Sequence, residues 1–124
     1  ALSLSISDLF CMILFYSCKT KNETIACTME FRMVSIKVIG PALDTFYTIR
    51  LSSGDTIRPI SGRQFFENTY TVLDDNYQPQ LVNTQDSFRF YGIYQQQQVV
   101  NEKFIIKADQ CHIDYVSGRT EVVL

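Results

Sequence analysis

Five groups of residues in the chain are of a type that could do chemistry. His112 is the only histidine, with Asp114 two positions on and Ser117 close behind. The composition is that of a Ser-His-Asp triad, but neighbours on one strand do not converge in space as a triad must. A half-exposed strand histidine beside an aspartate is the reading the spacing supports. Asp74-Asp75-Asn76 offers clustered oxygens. It lacks the EF-hand spacing and the closing glutamate, so solvated turn residues are expected and no metal is assigned. Arg50, Arg58 and Arg63 form the nearest approach to a basic cluster. Nine Phe and seven Tyr, with no Trp, suffice to fill a two-layer core, and any surplus would line a pocket or an interface. Tyr47, Phe65, Phe66, Tyr70 and Tyr77 are the rings closest to loops and turns. With the three arginines they make the candidate binding set, because Tyr and Arg serve interfaces well.

The fifth group is the cysteines, four in number at Cys11, Cys18, Cys27 and Cys111. An even count suits a disulfide framework. The gaps contain no C-x-x-C pair, which speaks against zinc. No G-x-S-x-G, H-E-x-x-H or phosphate-cradling glycine loop occurs, so no cofactor is assigned and the chain is read as non-catalytic.

The elements that must position these groups are strands. Helical periodicity is nearly absent, and short β-branched and aromatic runs recur between turn residues. Strands are expected near 5–18, 24–39, 45–52, 55–60, 68–73, 86–95, 102–108, 111–116 and 120–124. A short helical turn is allowed near 61–67. Such spacing predicts an all-β fold, a two-layer antiparallel sandwich, with a small β-barrel as the alternative. The missing Trp separates it from immunoglobulin domains.

Placing a turn at Asn22-Glu23 sets Cys18 opposite Cys27 and pairs Leu14 with Phe31 and Met12 with Met33 on one apolar face. Opposed residues have Cβ atoms near enough for a disulfide. The register therefore predicts Cys18–Cys27, leaves Cys11–Cys111 as the second bridge, and makes Phe31 a core residue. The apolar positions change from odd to even after Met33, so either a β-bulge or bend is expected near Met33-Val34-Ser35, or the strand passes between two layers and serves each in turn. Gly92, inside a strand, marks a bulge or a close backbone approach.

The chain has 124 residues, a net charge of −2 and 19% charged residues. It fits one domain over 1–124, standing alone or as part of a longer chain. The near-neutral charge argues against nucleic acid as the main partner. The longest apolar run, Leu9–Tyr16, is too short to cross a membrane, so no insertion is expected. Disulfides and the sequon Asn22-Glu23-Thr24 point to a secreted glycoprotein. Its expected partner is another protein or a glycan, with a second copy of the chain as a further option. The competing function is a carrier that encloses an apolar ligand.

Overall fold

The computed structural model describes residues 27–58 and 67–124. Among the described residues, eight strands build two sheets. They are β1 (Met33–Ile39), β2 (Thr45–Arg50), β3 (Thr56–Ile57), β4 (Thr69–Asp74), β5 (Gln85–Tyr94), β6 (Gln97–Ala108), β7 (Ile113–Ser117) and β8 (Glu121–Val123). The first sheet has the order β4-β1-β8 and the second β3-β2-β5-β6-β7. Every pairing is antiparallel except β1 with β8, which run parallel. The all-β, disulfide-bearing expectation stands, with that parallel pair as an exception to an antiparallel sandwich.

Alternation makes the two layers. Val34, Ile36 and Val38 turn inward from β1, and Phe88 and Phe90 from β5. Val100, Phe104, Ile106 and Ala108 do so from β6. They join Phe46, Tyr70, Val72, Leu73, Leu81 and Ile113 in one core shared by both sheets. Two contacts stitch the layers. Phe46 meets Tyr70 edge-on, with ring centroids 5.0 Å apart. The buried Thr48 hydroxyl donates to the Val72 carbonyl at 2.6 Å, so its polarity is satisfied between the layers.

The phase change after Met33 marks the start of the strand. Residues 27–32 are not strand at all, so their odd apolar positions serve no sheet face. The register of β1 on β4 does shift between Val34 and Ser35, but the bulge is not on the strand where it was expected. The extra residue lies on β4: Val34 faces Leu73 and Ser35 faces Thr71. Val72 is left between them, which lets consecutive Val72 and Leu73 both be buried. Gly92 fulfils both halves of its expectation. The β5–β6 register shifts there, and a Cβ on it would stand 2.7 Å from Leu43 Cδ1.

One correction and two details concern local structure. Phe31 is 54% exposed, not core, because it precedes β1. The turn expected at Asp74-Asp75-Asn76 is a 3-10 turn, Asp75–Tyr77, capped by Asp74, which accepts from the Asn76 amide. A one-turn helix, α1 (Gln78–Leu81), follows, with Pro79 where a missing N–H costs nothing. Gln95–Gln98 is a tight two-residue turn and the start of β6. Gln95 and Gln96 both take positive φ, the geometry that matches strand twist in a hairpin. Asp44 holds that turn by accepting from the Gln95 amide at 2.7 Å. The helical turn expected near 61–67 lies almost wholly outside the described residues.

Candidate functional site

The disulfide joins Cys27 to Cys111, with Cα atoms 5.4 Å apart. This overturns both expected bridges, Cys18–Cys27 and Cys11–Cys111. Cys11, Cys18 and Asn22 lie outside the described residues. The register argument failed because it placed Cys27 on a strand, and Cys27 is in an extended lead-in to β1. Cys111 is held for the bridge by a turn: Asp109 accepts from the amides of Cys111 and His112 at 2.7 and 2.8 Å.

Beside the bridge sits a polar cluster that sequence reasoning missed. His112 is buried rather than half-exposed, and it lies before β7 rather than on a strand. Its partner is Asp75, 37 residues away, and not Asp114: Nδ1 stands 2.7 Å from Asp75 Oδ2. Nε2 stands 2.9 Å from the Thr28 hydroxyl, which also lies 3.0 Å from Glu30 Oε1. Asp75 further accepts from the amides of Arg32 and Ile113, both at 2.8 Å. Hydroxyl, imidazole and carboxylate thus fall in line, but the hydroxyl has one proton for two acceptors. Directed to Glu30, that proton is not the ring's to take.

The cluster is therefore best read as a clasp, tying residues 28–32 and the 109–112 turn to the 3-10 turn. Burial works to raise the Asp75 carboxyl, and the two amides with the His112 ring outweigh it, holding it below the usual carboxylate range. Asp86, accepting from Ser52 and Arg50, is held low against burial in the same way. A carboxyl depressed in the folded state stabilises above its unfolded value and loses that contribution as pH falls through the folded value. Stability is therefore expected to fall as the medium is acidified below about pH 4. Asp75→Asn should cost about 1–3 kcal/mol at neutral pH, and its deficit against wild type should shrink with acid. Urea midpoints across pH measure both; a deficit independent of pH would remove the carboxylate from the account.

The candidate binding residues divide into two clusters. Arg50 and Tyr77 come together under α1. Arg50 Nε donates to Asp86 at 2.6 Å, its Nη1 reaches the Tyr77 hydroxyl at 3.4 Å, and its guanidinium lies 5.8 Å from the Tyr77 ring. The Tyr77 ring in turn meets Phe88 edge-on. These are structural ties, and they leave Arg50 committed. Tyr70 is core, 1% exposed, its hydroxyl accepting from the Leu43 amide. Phe65, Phe66 and Arg63 lie outside the described residues.

Tyr47 and Arg58 form the other cluster, on the outer face of the five-stranded sheet. Arg58 sits over the Tyr47 ring at 5.0 Å, a cation–π geometry. Tyr47 stands opposite Tyr91 in register, their rings 5.4 Å apart. One row further, Arg89 Nη1 donates to Asn101 Oδ1 at 2.7 Å. An open groove of about 270 Å³ runs from Arg58 to Tyr77, lined also by Ile57 and Asn76. Tyr91 and Arg89 were not singled out from the sequence. The signal was there, since they are the outward members of a strand whose inward members, Phe88 and Phe90, are core.

Fold and site together define the class: a disulfide-linked, two-sheet β domain with an aromatic and basic outer face. The chain matches no family model, no curated protein and no solved structure. Among the described residues, no helix is long and apolar enough to cross a membrane, and no group of metal-ligating side chains is assembled.

Proposed function

We propose that the chain is a non-catalytic extracellular recognition module, which binds a protein or glycan on the outer face of its five-stranded sheet. The observation that carries this reading is the Arg58–Tyr47–Tyr91 stack, a flat, half-exposed aromatic run backed by a rigid sheet. Such rings supply contact area at little conformational cost and recur as anchors of binding surfaces. The Cys27–Cys111 bridge supports an oxidising compartment. The space between the layers is filled by Phe46, Tyr70, Phe88, Phe90 and Phe104, which favours this reading over an enclosed-ligand carrier.

The test is an array of glycans and purified extracellular proteins probed with the wild type and with Tyr47→Ala and Tyr91→Ala. A true partner should bind each variant about 10- to 30-fold more weakly, as expected for an anchoring tyrosine. Circular dichroism should show an unchanged fold. Undiminished binding by both variants would move the site off this face.

A further inference from the structure

On the three central strands of the five-stranded sheet, the outward charges are cations. On β2, β5 and β6, the outward positions carry the cations Arg89, Lys103 and Lys107 and no carboxylate. The carboxylates of the same strands, Asp86 and Glu102, take positions of the opposite parity, paired with the buried Ile106 and Phe90, and the one cation on that side, Arg50, is bound to Asp86. Arg58 adds a fourth cation over Tyr47. In a chain of net charge −2, this runs against the whole.

The arrangement also works against the fold. Arg89 and Lys103 stand directly opposite each other in register. Like charges so placed destabilise a sheet. Among the described residues, none of the four cations has a carboxylate within ion-pair distance. The acid nearest in register is Asp114, opposite Lys107 on the edge strand. A face on which Arg89 and Lys103 stand opposed, at a cost to stability, is complementary to a partner that brings the negative charge.

From this sorting we infer that the outer face binds a sulfated polysaccharide; the inference rests on the recognition reading above and names the partner's chemistry. Sulfate oxygens would take Arg89, Lys103 and Lys107, since guanidinium and ammonium groups form charge-assisted hydrogen bonds with such anions. Sugar rings present flat C–H faces that lie against Tyr47 and Tyr91. The extended sheet suits a linear chain: Lys103 and Lys107 are four residues apart on one strand, about 13 Å. A nucleic acid would use the same aromatic and cationic elements, but a reader of nucleic acid carries a more strongly basic domain than this one.

The test is binding of the purified, disulfide-intact chain to a defined heparin oligosaccharide, measured by surface plasmon resonance. Hyaluronan, dextran and single-stranded DNA serve as comparison probes. Heparin is expected to bind and to weaken about tenfold or more between 50 and 200 mM salt, because counterions are released on binding. Lys103→Gln and Lys107→Gln should each weaken it about fivefold, and a triple variant with Arg89→Gln about 100-fold. Lys37→Gln, on β1 in the other sheet, removes the same charge and should change nothing beyond a small shared effect.

No heparin binding at the lower salt, or DNA binding tighter than heparin, overturns the inference. So does equal weakening by Lys37→Gln, which would reduce the effect to net charge. If Tyr47→Ala abolishes binding to some other array partner while the lysine variants do not, recognition stands and the sulfated ligand falls. If neither set matters to any partner, both fall.

Discussion

Removing the Cys27–Cys111 bridge is expected to lower stability by about 4–5 kcal/mol. The bridged residues are 84 apart, so the crosslink closes a loop around both sheets. In the chain-entropy account the gain grows with the logarithm of loop length, which places this bridge near the upper end for disulfides. Domain stabilities are about 5–15 kcal/mol, so the loss would bring the unfolded state within reach at ordinary temperature. The native side contributes too. Without the bridge, residues 27–32 hold to the sheets chiefly through the Thr28–His112 and Arg32–Asp75 contacts. Because a reducing agent would also act on Cys11 and Cys18, the cleaner comparison is the Cys27→Ser/Cys111→Ser pair of substitutions, followed by urea denaturation. Peptide mapping without reduction should join the Cys27 and Cys111 peptides. A linked Cys18–Cys27 peptide would restore the hairpin register and undo the structure's lead-in. A loss below about 1 kcal/mol would mean that the loop is already closed in the unfolded chain.

The fate of that register shows what the sequence could and could not convey. Period-two alternation was legible wherever a strand had one dry face, as in β5, where Phe88, Phe90 and Gly92 are inward and Arg89 and Tyr91 outward. Of the two irregularities, the one at Gly92 was legible from a glycine inside a strand; the bulge on β4 left no trace on β1, whose change of phase marks where the strand begins. The disulfide was not legible, since apolar alternation also occurs by chance in a segment that is not strand, as at Met29 and Phe31. The clasp was hidden for a different reason. Asp75 and His112 are 37 residues apart, and only the fold of β4 and β7 onto one end brings them together. Long-range polar contacts carry no period. The outer face was half legible: Tyr47 and Arg58 stood out by type, while Arg89, Lys103 and Lys107 acquire meaning only once register sets them side by side.

Phe90→Ala is expected to cost about 3–5 kcal/mol and Phe31→Ala less than about 1. From composition and alternation the two phenylalanines look alike, each flanked by apolar residues at even spacing. Their surroundings differ. Phe90 is fully buried at the centre of the larger sheet, between Thr48 on β2 and Glu102 on β6, with its ring 5.9 Å from that of Phe46. Phe46 in turn packs edge-on against Tyr70 from the other layer. Truncating Phe90 leaves a cavity whose walls belong to three strands of one sheet and, through Phe46, to the second. Strands tied by ladder hydrogen bonds cannot close on such a void, so the loss includes unrecovered packing as well as transfer free energy. Phe31 is 54% exposed before β1 begins, so truncation removes little burial and leaves no void. Urea unfolding of the two variants under one set of conditions measures the contrast. Equal losses would place residues 27–32 back in a sheet. A Phe90 loss below about 1 kcal/mol would mean that the layers do not meet over β5. Because that residue also fixes which face of β5 is outward, the same result would remove the grounds for placing Arg89 and Tyr91 on the binding face.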